Sequence, residues 1–221
     1  MDGTLVELGG AGRSLYALAF ERWSGRPLLA PVRMPGRTDP DIFRETLAAH
    51  GLEPTADGFA SFTAVLVAAY AGGLDLLRRQ GRALPGAAAA LAALAATPGV
   101  VQSVLTGNVR EVAATKLAAF GLDGHLDLEA GAYGSDDARR GRLVAVARAR
   151  AAARHGPALL AAGAVLVGDT PHDVLAAREG GAAMVAVATG RSTEAELRAA
   201  GAGVVLPNLE DTDRVLRLLL G

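Results

Sequence analysis

Three short polar segments carry residue types suited to phosphoryl chemistry: Asp2-Gly3-Thr4-Leu5, Thr106-Gly107-Asn108 and Gly168-Asp169-Thr170-Pro171-His172-Asp173. In the third, Asp169 and Asp173 are one helical turn apart at the start of a helix, so both carboxylates can point into one small volume. Two carboxylates held close repel each other and invite a hard cation. Magnesium takes one or two carboxylates and fills its shell with waters and phosphate oxygens. In the second segment the backbone amides of Gly107 and Asn108 suit a phosphate oxygen. Each residue also has a plainer reading, since Asp169 and Thr106 could simply cap the helices that follow them. Their arrangement carries more weight, because all three segments sit where a strand of an open α/β sheet would end, the usual place for a ligand.

The elements that must position these segments follow from periodicity. Residues 100–105 (VVQSVL) and 164–167 (AVLV) read as short buried strands, and each runs directly into a polar segment. Residues 184–187 (MVAV) and 204–206 read as further strands. Between them lie helical patterns at 110–120, 172–179 and 211–220, and Thr193 with Glu196 can form a capping box. Strands separated by helices of this length predict an α/β fold with a parallel sheet covered on both faces. The first hundred residues differ. Helical patterns at about 14–24, 40–50 and 57–80 follow one another without a convincing strand, with Asp39 as a cap and Pro40 in the first turn. Another helix is expected at 87–96. Residues 12–80 therefore read as an all-helical insert, with 1–11 and 81–221 forming the α/β core.

Composition removes several function classes. With 22 basic and 23 acidic residues, nothing points to a nucleic-acid or membrane-surface partner. The absence of cysteine excludes a disulfide framework, a thiolate metal site and a cysteine nucleophile, and fits a cytoplasmic protein. No apolar run of about 18 residues is present to span a membrane, and MDGTLVEL does not resemble a signal peptide. Lys116 is the only lysine, and its position in the helix after Thr106 reads as an exposed surface charge.

DGTL, then strand-Thr-Gly-Asn, then Gly-Asp-x-x-x-Asp resemble motifs I, II and IV of the haloacid dehalogenase superfamily, phosphoglycolate-phosphatase-like hydrolases in particular. The likeness extends to GRTDPDIF (36–43), KLAAFGL (116–122) and VAVATG (185–190). It implies a Rossmann-like core, a helical cap inserted after motif I, and magnesium-dependent hydrolysis of a small phosphorylated metabolite. Asp2 would act as acid and base and lend its backbone carbonyl to the metal, which Asp169 and Asp173 would ligate. Thr106, Gly107 and Asn108 would hold the phosphoryl group. Arg142 lies where the family places its basic third motif, ahead of Lys116 as a candidate, and Arg37 is a candidate substrate contact or a solvated loop arginine.

The family's first motif is Asp-x-Asp-Gly-Thr, and its first aspartate attacks phosphorus. Asp2 matches the second aspartate and Met1 the x position. The resemblance therefore implies that the nucleophile, and the central strand carrying it, precede Met1, with an internal methionine codon taken as the start. A sheet without its central strand leaves buried backbone groups unpaired, at ~1–3 kcal/mol each. The alternative is a non-catalytic relative that binds a phosphorylated ligand or a protein partner. A phosphonate hydrolase would need a lysine in the insert, and residues 12–80 contain none. A dehalogenase has no need of Asp169 and Asp173, whereas a sugar-phosphate mutase remains open. A receiver domain needs only half this length, and Gly10-Ala11-Gly12 lacks the third glycine of a dinucleotide-binding loop.

Overall fold

The computed structural model describes residues 1–29, 33–34 and 36–221. Three strands, β3 (Val165–Gly168), β4 (Ala183–Val187) and β5 (Val204–Leu206), form a parallel sheet in that order. Val165 is in register with Ala183, and Val185 with Val204. The crossovers are the helices α8 (Pro171–Gly180) and α9 (Glu194–Ala199), and α10 (Thr212–Leu220) closes the chain. Both crossover helices begin with capping boxes, Thr170 with Asp173 and Thr193 with Glu196. The α/β expectation holds. The capping residue at Pro171 is Thr170, however, which leaves the Asp169 carboxylate free for another purpose.

The expected strand at 100–105 does not join this sheet. Among the described residues its chain bonds on one side only: Asp127 N–H donates to Gln102 O at 2.9 Å, Ala132 N–H to Val104 O at 2.9 Å and Thr106 N–H to Ala132 O at 3.0 Å. Leu105 and Ala132 form an isolated bridge. This pattern turns the backbone groups of Val101, Ser103 and Leu105 the other way, and the same alternation turns those of Val165 and Val167 away from β4. Between these two unpaired edges lies a cavity of about 460 Å³, with Met1 among its lining residues. Val165 is 36% exposed in consequence, although a strand inside a parallel sheet is normally covered on both faces.

The preceding part of the chain is helical. Helix α1 (Ala11–Ser24), α2 (Asp39–Ala49), α3 (Gly58–Gly72) and α4 (Leu74–Gln80) share a core of Leu15, Phe20, Phe43, Leu47, Phe62, Leu66 and Leu77. The Phe43 and Phe62 rings stack with centroids 4.7 Å apart. Thr38, not Asp39, caps α2, accepting from Asp41 N–H. The single helix expected over 57–80 is broken at Gly73, where the axis bends by 63°. A side chain on Gly73 would run into Leu15, so the break brings α4 back beside α1.

Two strands too short to show a period, β1 (Val6–Glu7) and β2 (Arg82–Ala83), pair antiparallel where the chain enters and leaves the helical segment. Helix α5 (Ala87–Ala95) and α6 (Arg110–Ala119) follow. Helix α6 joins the two parts, because Val109, Val112 and Ala119 pack in the helical core while Ala113 and Leu117 pack with Val6, Val104, Val187 and Leu206. Among the described residues no single helix is long and apolar enough to cross a membrane.

Candidate active site

The three polar segments meet. Residues 2–5 form a turn in which Gly3 N–H donates to Val6 O at 2.8 Å and Leu5 N–H to Met1 O at 2.8 Å. Gly3 has φ +75°, and a Cβ there would collide with the Asp169 carboxylate, so glycine is required on both counts. Thr4 Oγ1 donates to Asp169 Oδ1 at 2.7 Å, and Thr189 Oγ1 donates to Gly3 O at 2.6 Å. On the other side, Asn108 Nδ2 donates to Asp2 Oδ2 at 2.8 Å. Residues 2–4 thus tie the loop after residue 105 to the loop after β3.

Asp169 is 5% exposed. Its Oδ2 accepts no hydrogen bond among the described residues and lies against Gly3 and Gly190, where any side chain would displace it. Burial raises its carboxyl above the ordinary range; the Met1 ammonium and Thr4 pull it back, and Asp173 and Asp2 push it up further. Asp173 is satisfied from within the chain. Its Oδ2 accepts from Thr170 N–H at 3.0 Å and Thr170 Oγ1 at 2.7 Å, and its Oδ1 pairs with Arg140. Although burial opposes ionisation, Arg140, the Met1 ammonium and Thr170 hold it below the usual carboxylate range. The two carboxylates expected to share a cation therefore differ: Asp169 has an open oxygen, and Asp173 anchors the start of α8.

The expected surface lysine is the buried cation of the site. Lys116, on α6, has a side chain only 6% exposed. It donates to Asp2 Oδ2 at 2.9 Å and Asn108 Oδ1 at 2.6 Å, with its Nζ 5.4 Å from the Tyr70 ring centroid. Burial works against its charge, yet Asp2, Tyr70 and Asp39 outweigh burial and raise its pKa above the usual value. Asp2, with 41% of its side chain exposed, is lowered on balance: burial raises it, and Lys116, the Met1 ammonium and Asn108 more than compensate.

Arg142 lies outside this cluster. Its side chain is 64% exposed and, among the described residues, reaches only Asp137, at 3.5 Å, because its place on the first turn of α7 (Arg140–His155) faces solvent. Arg140, two residues earlier, turns inward to Asp173 instead. Arg37 is likewise committed elsewhere, to Glu45 and to the Asp41 carbonyl at 3.3 Å. Its own carbonyl packs against Gly107. Thr106, 4% exposed, accepts from Asn108 N–H at 3.2 Å and Asn108 Nδ2 at 2.9 Å. Sequence reasoning missed Thr4, Asp39, Arg140 and Thr189 as members of the site, and ranked Lys116 behind Arg142. Thr4 and Thr189 lay inside the quoted DGTL and VAVATG runs, and the singular lysine was itself a signal.

The model of the haloacid dehalogenase-like hydrolase family matches residues 1–178. The chain belongs to that family. No functionally curated protein matches it. Solved structures of the same fold include a hydrolase from Pseudomonas syringae, 21% identical, covering 98% of this chain and 95% of the other at a TM-score of 0.68. A predicted phosphoglycolate phosphatase from Haemophilus somnus 129pt is 19% identical over 97% and 94%, at 0.65. CbbY from Rhodobacter sphaeroides, solved in complex with phosphate, is 20% identical over 96% and 92%, at 0.59.

Magnesium fits the donors present in a limited way. Among the described residues no three His, Cys, Asp or Glu side chains converge on one point, so an all-protein cage is not formed. A cation that keeps most of its waters needs only one or two carboxylates, and the open oxygen of Asp169 in its glycine cradle supplies one.

Proposed function

We propose that the protein hydrolyses phosphate monoesters of small metabolites through an aspartyl-phosphate. The observation that carries this reading is the Asp169 carboxylate, buried with one oxygen open and tied through residues 2–4 to the Thr106–Asn108 loop. Magnesium, held by Asp169 and the Asp2 backbone carbonyl, would offset phosphoryl charge. The attacking carboxylate would come from a residue preceding Met1, on a strand filling the cavity between Val101–Leu105 and β3. The edges on both walls of that cavity, unpaired among the described residues, support this assignment.

In the first step a carboxylate oxygen forms a bond to phosphorus and the ester oxygen leaves, taking its proton from Asp2. In the second, water attacks phosphorus, Asp2 accepts the water's proton, and inorganic phosphate departs. To act as the acid, Asp2 must exchange its bonds to Lys116 and Asn108 for a proton, taken from the solvent that reaches its half-exposed side chain. Thr106 and the Gly107 amide would hold the phosphoryl oxygens, and Lys116 would supply nearby positive charge. Residues 12–80 would serve as a cap that shields the site from water.

The test is magnesium-dependent release of p-nitrophenol from p-nitrophenyl phosphate by a chain extended upstream in frame, with Asp169→Asn as the control. Turnover that the substitution abolishes supports the reading. A folded extended chain without turnover leaves the second reading, a non-catalytic binder of a phosphorylated ligand, which the engagement of Asp2 by Lys116 favours.

A further inference from the structure

Asp39 grips the Thr106–Val109 loop from the helical segment with two bonds. Its N–H donates to Gly107 O at 2.7 Å, and its Oδ2 accepts from Val109 N–H at 2.7 Å. Asp39 is 8% exposed, so water competes poorly for either bond. Between these anchors the Gly107–Asn108 peptide is fixed at both ends: its carbonyl by Asp39, its N–H by Thr106 Oγ1 at 3.2 Å. The Gly107 N–H has no partner among the described residues. The approach is as close as backbone allows, since a side chain on Gly107 would run into the Arg37 carbonyl, and one on Gly134 into the Gly107 carbonyl.

We propose that Asp39 is a positioning residue, which aims the Gly107 amide at a phosphoryl oxygen and makes phosphate affinity depend on how the helical segment seats against the core. The inference rests on the phosphatase reading, because it takes Thr106–Asn108 as the phosphoryl site. It differs from a merely structural role for Asp39 in the helix. Capping of α2 belongs to Thr38, whose hydroxyl accepts from Asp41 N–H at 3.4 Å and donates to Asp41 Oδ2 at 2.9 Å.

The experiment is calorimetric titration of the 221-residue chain and its variants with inorganic phosphate at fixed magnesium. Asp39→Ala and Asp39→Asn carry the same charge, but only asparagine can accept from Val109 N–H. The expected result is phosphate binding about tenfold weaker in Asp39→Ala than in Asp39→Asn, the size of one lost hydrogen bond. Thr38→Val, which weakens the α2 cap and spares the clamp, is expected to lower the melting temperature and keep the wild-type affinity. Equal affinities of the two Asp39 variants, or an equal loss in Thr38→Val, would overturn the proposal. If the wild-type chain binds no phosphate, or Thr106→Val binds as tightly as wild type, the phosphoryl-site reading itself fails and takes this inference with it.

Discussion

The Lys116 ammonium donates to Asp2 Oδ2 at 2.9 Å across an interface where the lysine is buried and the aspartate half exposed. This pair fixes the charge state of the residue assigned to move protons. Lys116→Met removes the first charge that holds Asp2 down, leaving burial to raise its carboxyl. The Asp2 pKa, read by carbon-13 NMR, is expected to rise. The stability lost is about 1–3 kcal/mol, less than for a fully buried pair because water reaches Asp2. An unmoved Asp2 titration would contradict the pairing.

Asp39 gives a pH dependence of definite sign. Its carboxyl is pushed up to about 6, mainly by burial, against the opposing pull of Lys116 and Val109 N–H. The folded state thus binds this proton more tightly than the unfolded state does. The stability gained is complete below about pH 4 and is lost as pH rises to 6. Asp39→Asn removes the penalty, so the variant should match wild type near pH 4 and exceed it at pH 8, by up to roughly 3 kcal/mol. Urea unfolding at the two pH values reads this directly, and a variant that is less stable at pH 8 contradicts it.

Asp169→Asn keeps an acceptor for Thr4 and removes a buried charge that Asp173 and Asp2 oppose. Without metal, stability at neutral pH should stay level or rise. Magnesium should stabilise the wild-type chain, by about 2.7 kcal/mol at one hundred times its dissociation constant, and leave the variant unchanged. Thermal melting with and without the ion decides the matter, and equal shifts in both proteins would remove Asp169 from the proposed metal site.

Arg140 and Arg142 are separated by one residue and by their surroundings. Arg140 pairs with Asp173 where both side chains are under 15% exposed, at 14% and 13%. Arg140→Met strands the Asp173 carboxylate and should cost about 3 kcal/mol. Arg142→Met should stay within about 0.5 kcal/mol. Denaturant unfolding of the two variants side by side checks the contrast, and similar costs would refute it.

The sequence made the strands at β3, β4 and β5, their helices and the Thr193–Glu196 capping box legible, because valine runs and caps act locally. Residues 100–105 carry the same valine signal, yet they lie apart from the sheet. Strand pairing requires a neighbour, and no local pattern reports whether one is present. Lys116 was misread for a related reason. A lysine on an amphipathic helix looks solvated until the fold brings Asp2, Asn108 and Tyr70 around it. Arg140 and Arg142 are indistinguishable by type, and only the rotation of α7 decides which one faces Asp173. Asp39 looked like a cap because aspartate before proline usually is one; the neighbouring Thr38 took that role and left Asp39 free to bind Val109.

The proposal that the attacking carboxylate precedes Met1 is tested most directly by locating the covalent phosphate. An upstream-extended chain would be quenched in acid during turnover of p-nitrophenyl phosphate, and the acyl-phosphate trapped with hydroxylamine and mapped by mass spectrometry. The account predicts modification of an aspartate immediately upstream of Met1, and none in the 221-residue chain treated in the same way. Modification at Asp2 or Asp169, or turnover by the 221-residue chain itself, would contradict it.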